Sequence, residues 1–326
     1  MKTAHCLQEK ILDFIRGGDG EFEALALDVF AFQFEHNLAY RAYCQRLGAS
    51  PSSVTHWTEI PAVPTDAFKH LTLTCFPPEE AVAEFHTSGT TTGRPGRHLF
   101  RTLALYDAAC VPQFRAHLFP DNRQMPILSL VPPLAHSSLA YMCKVVGAQF
   151  VDRLAPTDRP VCLLGTAFHF LKLFDEGLRL QLPPESRVME TGGFKGRTRE
   201  VSKTELYEMF QKHFGIPSTH VVNEYGMTEL STQFYDETMR VGRRSDIKLP
   251  PRWARVRIID PHTGEEAAEG RAGLLRIYDL ANLWSAMCIQ TEDLGMRRGE
   301  GFILLGRMPG STPRGCSLAA EEWNCR

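Results

Sequence analysis

The chain has 326 residues, room for one large or two ordinary domains, and its 43% hydrophobic and 23% charged content suits a globular protein with a sizeable core. A formal net charge of -2 gives no electrostatic footprint for nucleic acid or an anionic membrane. No run approaches the ~20 apolar residues of a membrane span, and Glu9 and Asp13 interrupt the N-terminal apolar run where a secretory signal would not, so no membrane span and a cytoplasmic address are expected.

In chain order, Leu7, Ile11, Phe14 and Ile15 have helical spacing and predict a helix over 4–16. Phe22, Leu25, Val29 and Phe32 predict a second over 21–47, ended by Gly48. Ile60-Pro61-Ala62-Val63-Pro64 cannot continue a helix, because each proline pushes its predecessor into extended geometry, so this segment is expected as a rigid connector. Short apolar runs at 82–87, 127–131, 161–164, 188–191 and 220–222 alternate with helical stretches at 102–118, 137–146, 166–180 and 199–214, which predicts an α/β body. Polar–apolar alternation over 252–259, 274–278 and 302–305, with the turn Pro261-His262-Thr263-Gly264, predicts a β-rich subdomain of hairpins. Three parts follow: a helical lead-in over 1–80, an α/β core over 81–250 and a β-rich part over 251–326. The nine cysteines are scattered with no C-x-x-C pair, which argues against a disulfide framework and a structural zinc site.

The segment from His86 to His98 reads His-Thr-Ser-Gly-Thr-Thr-Thr-Gly-Arg-Pro-Gly-Arg-His. Its small residues let main-chain N–H groups turn inward around an anion, with hydroxyls as extra donors and Arg94 and Arg97 to clamp phosphate oxygens. No G-K-[ST] occurs, and Arg97-His98-Leu99-Phe100 predicts a strand after the loop, so this is no Walker motif and is expected to join two strands. Composition alone also allows an ordinary Ser/Thr/Gly surface loop.

The string Thr-Ser-Gly-Thr-Thr-Thr-Gly-Arg-Pro-Gly at 87–96 resembles the phosphate loop of the adenylate-forming superfamily, which holds acyl-CoA synthetases, luciferases and peptide-synthetase adenylation domains. Other matches follow in the order that superfamily requires. Asn223-Glu224-Tyr225-Gly226-Met227-Thr228-Glu229 looks like its Y-G-x-T-E motif, Thr291-Glu292-Asp293 like its T-G-D motif with glutamate in the glycine position, and Gly306-Arg307 like its G-R hinge. Within the superfamily the chain resembles the acyl-protein synthetases, the fatty-acid–protein ligases of bacterial bioluminescence. Ile60–Pro64 with Phe68-Lys69, His136-Ser137-Ser138-Leu139, Thr191-Gly192-Gly193-Phe194-Lys195 and Arg314-Gly315-Cys316-Ser317-Leu318 carry that likeness. It implies an α/β fold, the large N-terminal domain of adenylate-forming enzymes with helix-covered sheets and a β-rich subdomain, lacking the superfamily's mobile C-terminal domain. Two departures stand out: the loop has an extra threonine, and it lacks the usual lysine, Arg97 being nearest to that place.

The resemblance also implies a site. Ser88, Gly89, Thr90, Thr91, Thr92 and Gly93, with Arg97, would hold the β- and γ-phosphates of ATP, and Glu229 would help bind Mg²⁺, which favours oxygen ligands. Thr228 would donate to the α-phosphate, Asp293 would accept from the ribose hydroxyls, and Arg307 would contact ribose or phosphate. Gly192 and Gly193 would admit the adenine, Tyr225 would stack on it, and Glu224 and Gly226 belong to the same AMP-binding group. Lys195 is either a solvated lysine or an attractor for the substrate carboxylate, and His136 is either structural or a gate to the acyl channel. Cys316, with Arg314 to lower its pKa, is either the acyl-accepting nucleophile or a buried thiol, and Cys325 is a weaker candidate. The implied reaction activates a carboxylic acid as an acyl-adenylate and forms a thioester on a protein cysteine, with an acyl-reductase or carrier protein as possible acyl-acceptor partner. Competing readings are transfer to coenzyme A or a carrier phosphopantetheine, and a non-catalytic nucleotide-binding remnant.

Overall fold

The computed structural model describes residues 2–87, 95–192 and 201–308. The chain separates into two compact units: Met1–Ala109 with Glu229–Thr232 and the described residues from Leu249 on, and Cys110–Thr228 with Gln233–Lys248. The expected lead-in and β-rich part thus fall in the same unit. Among the described residues no helix is long and apolar enough to cross a membrane.

The first unit opens with the helices Lys2–Ile15, Phe22–His36 and Leu38–Arg46. The single helix expected over 21–47 is therefore two. Asn37 is extended (φ -99°, ψ 98°), and its side chain accepts from Tyr40 N at 3.0 Å while donating to Ser285 O at 3.1 Å. An asparagine that satisfies itself locally offers the main chain an alternative to helix, and here it caps the next one. Four antiparallel strands follow one another in space as in sequence: Ala254–Ile259, Ala272–Asp279, Cys288–Arg298 and Gly301–Arg307. The proline-bounded Val63–Pro64 is more than a connector, since it pairs in parallel with Cys288–Arg298, Val63 opposite Ile289. That strand, at 11 residues the longest in the sheet, was not expected from the sequence. A two-stranded sheet, Ala83–His86 with Arg97–Phe100, completes the unit, and its strands flank the Ser/Thr/Gly segment as predicted.

The second unit is a parallel sheet in the order Gln149–Phe150, Ile127–Ser129, Cys162–Thr166, Arg187–Thr191 and Val221–Tyr225, with Phe234–Tyr235 added antiparallel at the edge. The three central strands are buried along their whole length, as parallel strands covered on both faces must be. Phe170, Phe210 and Phe214, from the helices Ala167–Asp175 and Lys203–Phe214, pack with Leu163, Val188 and Val221 in the core. A capping box joins Ser202 to Glu205 at the start of Lys203–Phe214, and left-handed Gly215 (φ 71°) stops it. The helix expected over 166–180 ends at Asp175, with left-handed Gly177 (φ 85°) just beyond.

Candidate functional site

Ligands of open α/β sheets bind beyond the carboxyl ends of the strands. In the second unit those ends are Thr191 and Tyr225, on adjacent strands in register, Thr191 opposite Glu224. Gly192 follows its strand in a left-handed conformation (φ 75°), which glycine adopts without strain. Glu224 is 4% exposed and accepts a hydrogen bond from the Thr191 hydroxyl, while burial pushes its carboxyl up to about 7. A Cβ on Gly226 would sit 2.4 Å from Glu224 Oε1, so a larger residue there would displace that carboxyl. The Tyr225 ring lies tilted at 36° against Phe234, centroids 6.2 Å apart. Thr228 is buried, its hydroxyl 3.5 Å from that of Ser138 at the start of the helix Ser138–Val145. Ser137 caps that helix, and His136 is exposed just before it. A cavity of about 410 Å³ opens at the outer strands of this sheet, lined by Leu130, Pro133, Phe150, His169 and Lys172 among others.

Behind the two strand ends lies a buried polar network that the sequence did not reveal. The Lys248 ammonium donates to both the main-chain and side-chain oxygens of Asn223, each at 2.7 Å. Asn223 Nδ2 and Tyr207 Oη both donate to Glu190 Oε1 at 2.8 Å. Asp236 accepts from Asn223 N at 2.9 Å and pairs with Arg244 at 3.2 Å. Burial lowers the Lys248 ammonium to about 8. Glu190, directly after Val188 and Met189 in a buried strand, was the one available signal, since carboxylates are rarely fully buried without partners. Lys248, in Asp246-Ile247-Lys248-Leu249, gave none.

In the first unit the antiparallel strands Cys288–Arg298 and Gly301–Arg307 set Asp293 opposite Arg307, and Arg307 Nε donates to Asp293 Oδ1 at 3.2 Å. Asp293 is 7% exposed, and its main-chain N–H donates to the Thr291 hydroxyl at 3.1 Å. Thr291-Glu292-Asp293 is thus part of a strand, and the two short motifs meet across one strand pair. Glu229 is buried, and its carbonyl accepts from Asn282 Nδ2 at 2.7 Å. Asp279 anchors the residues that follow, accepting from Ser231 N at 3.0 Å and the Thr232 hydroxyl at 2.8 Å. Burial pushes the Asp279 carboxyl up to about 6.

The stem of the Ser/Thr/Gly segment is closed by Thr87 and Gly96, whose main chains bond at 2.9 Å while Gly96 N donates to the Thr87 hydroxyl at 2.7 Å. Arg97 donates twice to Glu84, at 2.6 and 2.8 Å, and His86 Nε2 bonds the same carboxylate at 2.6 Å. The expected phosphate clamp is therefore engaged by a carboxylate, which these partners hold down to about 2. Strand alternation puts Glu84, His86 and Arg97 on one face, a signal the sequence carried. The expected Ser88, Gly89, Thr90, Thr91, Thr92, Gly93, Gly193, Lys195 and Cys316 lie outside the described residues.

Among the described residues no three His, Cys, Asp or Glu side chains cluster as metal ligands. A single buried carboxylate such as Glu229 nevertheless fits Mg²⁺, which is commonly held by one or two carboxylates together with substrate phosphates.

Residues 136–323 match a family model described as acyl-protein synthetase, LuxE. The long-chain-fatty-acid–luciferin-component ligase of Vibrio harveyi is 22% identical over 344 residues, covering 91% of this chain and 86% of that protein. Its namesake from Aliivibrio fischeri is 21% identical over 338 residues, covering 91% and 87%. Among solved structures, 2-hydroxyisobutyryl-CoA ligase in an open conformation with 2-HIB-AMP and CoA is similar at TM-score 0.66 and 13% identity, over 89% of this chain and 71% of that one. ATP-bound MatB from Rhodopseudomonas palustris is similar at TM-score 0.51 and 16% identity, over 83% and 58%. The α/β fold is that of adenylate-forming ligases.

Proposed function

The chain belongs to the LuxE acyl-protein synthetase family and is, with it, an adenylate-forming acid–thiol ligase, and on that premise we propose that it uses ATP to activate a fatty or related acid and loads the acyl group onto Cys316. The observation that carries the reading is the Asp293–Arg307 pair, in which residues resembling two separate nucleotide-binding motifs face each other across one strand pair.

In the first half-reaction a carboxylate oxygen bonds to the α-phosphorus of ATP and pyrophosphate leaves. The protein's task is to position two mutually repelling anions and neutralise charge on phosphate oxygens. Ser88 to Gly93 supply N–H and hydroxyl donors for the β- and γ-phosphates, and Glu84 orients Arg97 beside the stem of that segment. Mg²⁺, held through Glu229, supplies further charge neutralisation at those oxygens when bound. Asp293, oriented by Arg307, receives the ribose hydroxyls. Gly192, Gly193, Glu224, Tyr225 and Gly226 form the adenine edge, Thr228 donates to the α-phosphate, and Lys195 and His136 serve the acid. In the second half-reaction the Cys316 thiolate attacks the acyl carbon, the acyl–phosphate bond breaks, and AMP leaves with its electron pair. The thioester is then passed to a partner such as an acyl-reductase or carrier protein.

The test is acid-dependent exchange of labelled pyrophosphate into ATP across acids of different chain length. Exchange with at least one acid is expected. Its failure with every acid, in protein shown to be folded, would sink the reading.

A further inference from the structure

We infer that Lys248 is a positioning residue for nucleotide, its buried ammonium fixing Asn223 and through it the Glu224–Tyr225 edge. This rests on the reading of that edge as the adenine site, and deepens it.

Lys248 is 1% exposed. A buried ammonium is costly unless it is both paired and hydrogen-bonded, and an apolar residue of similar size commonly serves a core as well. A lysine here therefore calls for a reason beyond packing, and its bonds supply one. The ammonium donates to two oxygens of a single residue, Asn223 O and Oδ1, each at 2.7 Å. The remaining polar groups of Asn223 are also engaged: its N–H by Asp236 Oδ2 at 2.9 Å, its Nδ2 by Glu190 Oε1 at 2.8 Å, and its carbonyl additionally by Asp236 N at 3.0 Å. A residue held at every polar atom has one orientation, and the next two residues along the strand inherit it. Glu224 is tied to Thr191 on the neighbouring strand, and Tyr225 pairs with Phe234 on the other side. Asp236, Glu190 and Glu224 also attract the ammonium directly, and the first two hold Asn223 as well. The hydrogen bonds of Lys248 reach the edge through Asn223.

Three variants test this: Lys248→Met, which keeps the stem length and removes the charge, Asn223→Ala, and the double variant. Each is assayed by pyrophosphate exchange and by calorimetric titration with ATP. Lys248→Met is expected to raise the KM and Kd for ATP at least tenfold while the KM for the acid moves less than twofold. Asn223→Ala should match it, and the double variant should be no worse than the worse single change, because both sever one link. A lysine that only supports the fold would lower Tm and the active fraction, leaving the KM for ATP unchanged, and that result overturns the inference, as does additivity in the double variant. If Lys248→Met does not fold, Asn223→Ala decides alone, an unchanged Kd for ATP overturning the inference. Failure of the underlying reading is distinguishable, because wild-type protein would then bind ATP without acid-dependent exchange, and the Lys248 effect would still be read in the Kd. A wild type that binds no ATP sinks both.

Discussion

Asp293 by itself is a carboxylate in a charged stretch, Glu292-Asp293-Leu294, of a kind that usually faces water. What separates it from a solvated charge is burial to 7% exposure together with a guanidinium at 3.2 Å. If it receives ribose hydroxyls, Asp293→Asn keeps the shape and removes charge-assisted acceptance, worth about 1.5–3 kcal/mol. The expected outcome is a rise of roughly ten- to a hundredfold in the KM for ATP, measured by pyrophosphate exchange, with the acid KM little changed. His117 makes a different kind of prediction. It is 3% exposed, stacks on Tyr235 at 5.4 Å, bonds Gln113 O through Nδ1 and meets no hydrogen-bond partner at Nε2 among the described residues. Burial drives it down to about 4 from an ordinary 6.5. A depressed histidine gives stability that is present above the unfolded pKa and is lost as pH falls from 6.5 through 4. Replacing it with phenylalanine should remove on the order of 3 kcal/mol of that acid sensitivity, seen as a flatter Tm profile over this window. An unchanged profile would show that His117 does not titrate in the folded protein.

At the scale of strands and helices, legibility followed chemistry that is local in sequence. The Ser/Thr/Gly segment announced a connection between two strands, and Ala83–His86 and Arg97–Phe100 are those strands. Four of the parallel strands were visible as short apolar runs because burial on both faces needs no polar alternation, whereas the two-residue edge strand Gln149–Phe150 was missed. Cys288–Arg298 was invisible for the opposite reason: Glu292, Asp293, Arg297 and Arg298 mask the alternation that buries Ile289, Thr291 and Asp293. Asn37 broke a predicted helix by capping the next one, and its other side-chain bond goes to Ser285, a partner 248 positions away that no local pattern can name. The same limit hid Lys248 and Asp279, whose roles exist only once distant segments meet. Packing between strands also sets a prediction here. A Cβ on Gly273 would lie 2.6 Å from the carbonyl oxygen of Ile259 on the paired strand, where main chain cannot step aside. Gly273→Ala should destabilise this antiparallel strand pair by about 1–3 kcal/mol, the usual cost of overpacking, read as a lower urea midpoint at unchanged m-value.

For the whole molecule the open question is where the acyl group goes. Cys316→Ser separates two fates: pyrophosphate exchange should persist, while labelled acid should no longer become covalently bound to the protein. Retained labelling would point to another thiol, and retained product with added coenzyme A would favour direct transfer. The division of the chain has a temporal consequence of its own. The first unit takes residues up to Ala109 and again from Leu249, and Gln33 and Asn37 bond the carbonyls of Asn282, Leu283 and Ser285. On the ribosome the early helices must therefore wait, solvated and unfinished, for partners still to be translated. The described part of the second unit ends at Lys248 and can consolidate while the last strands are still in the exit tunnel.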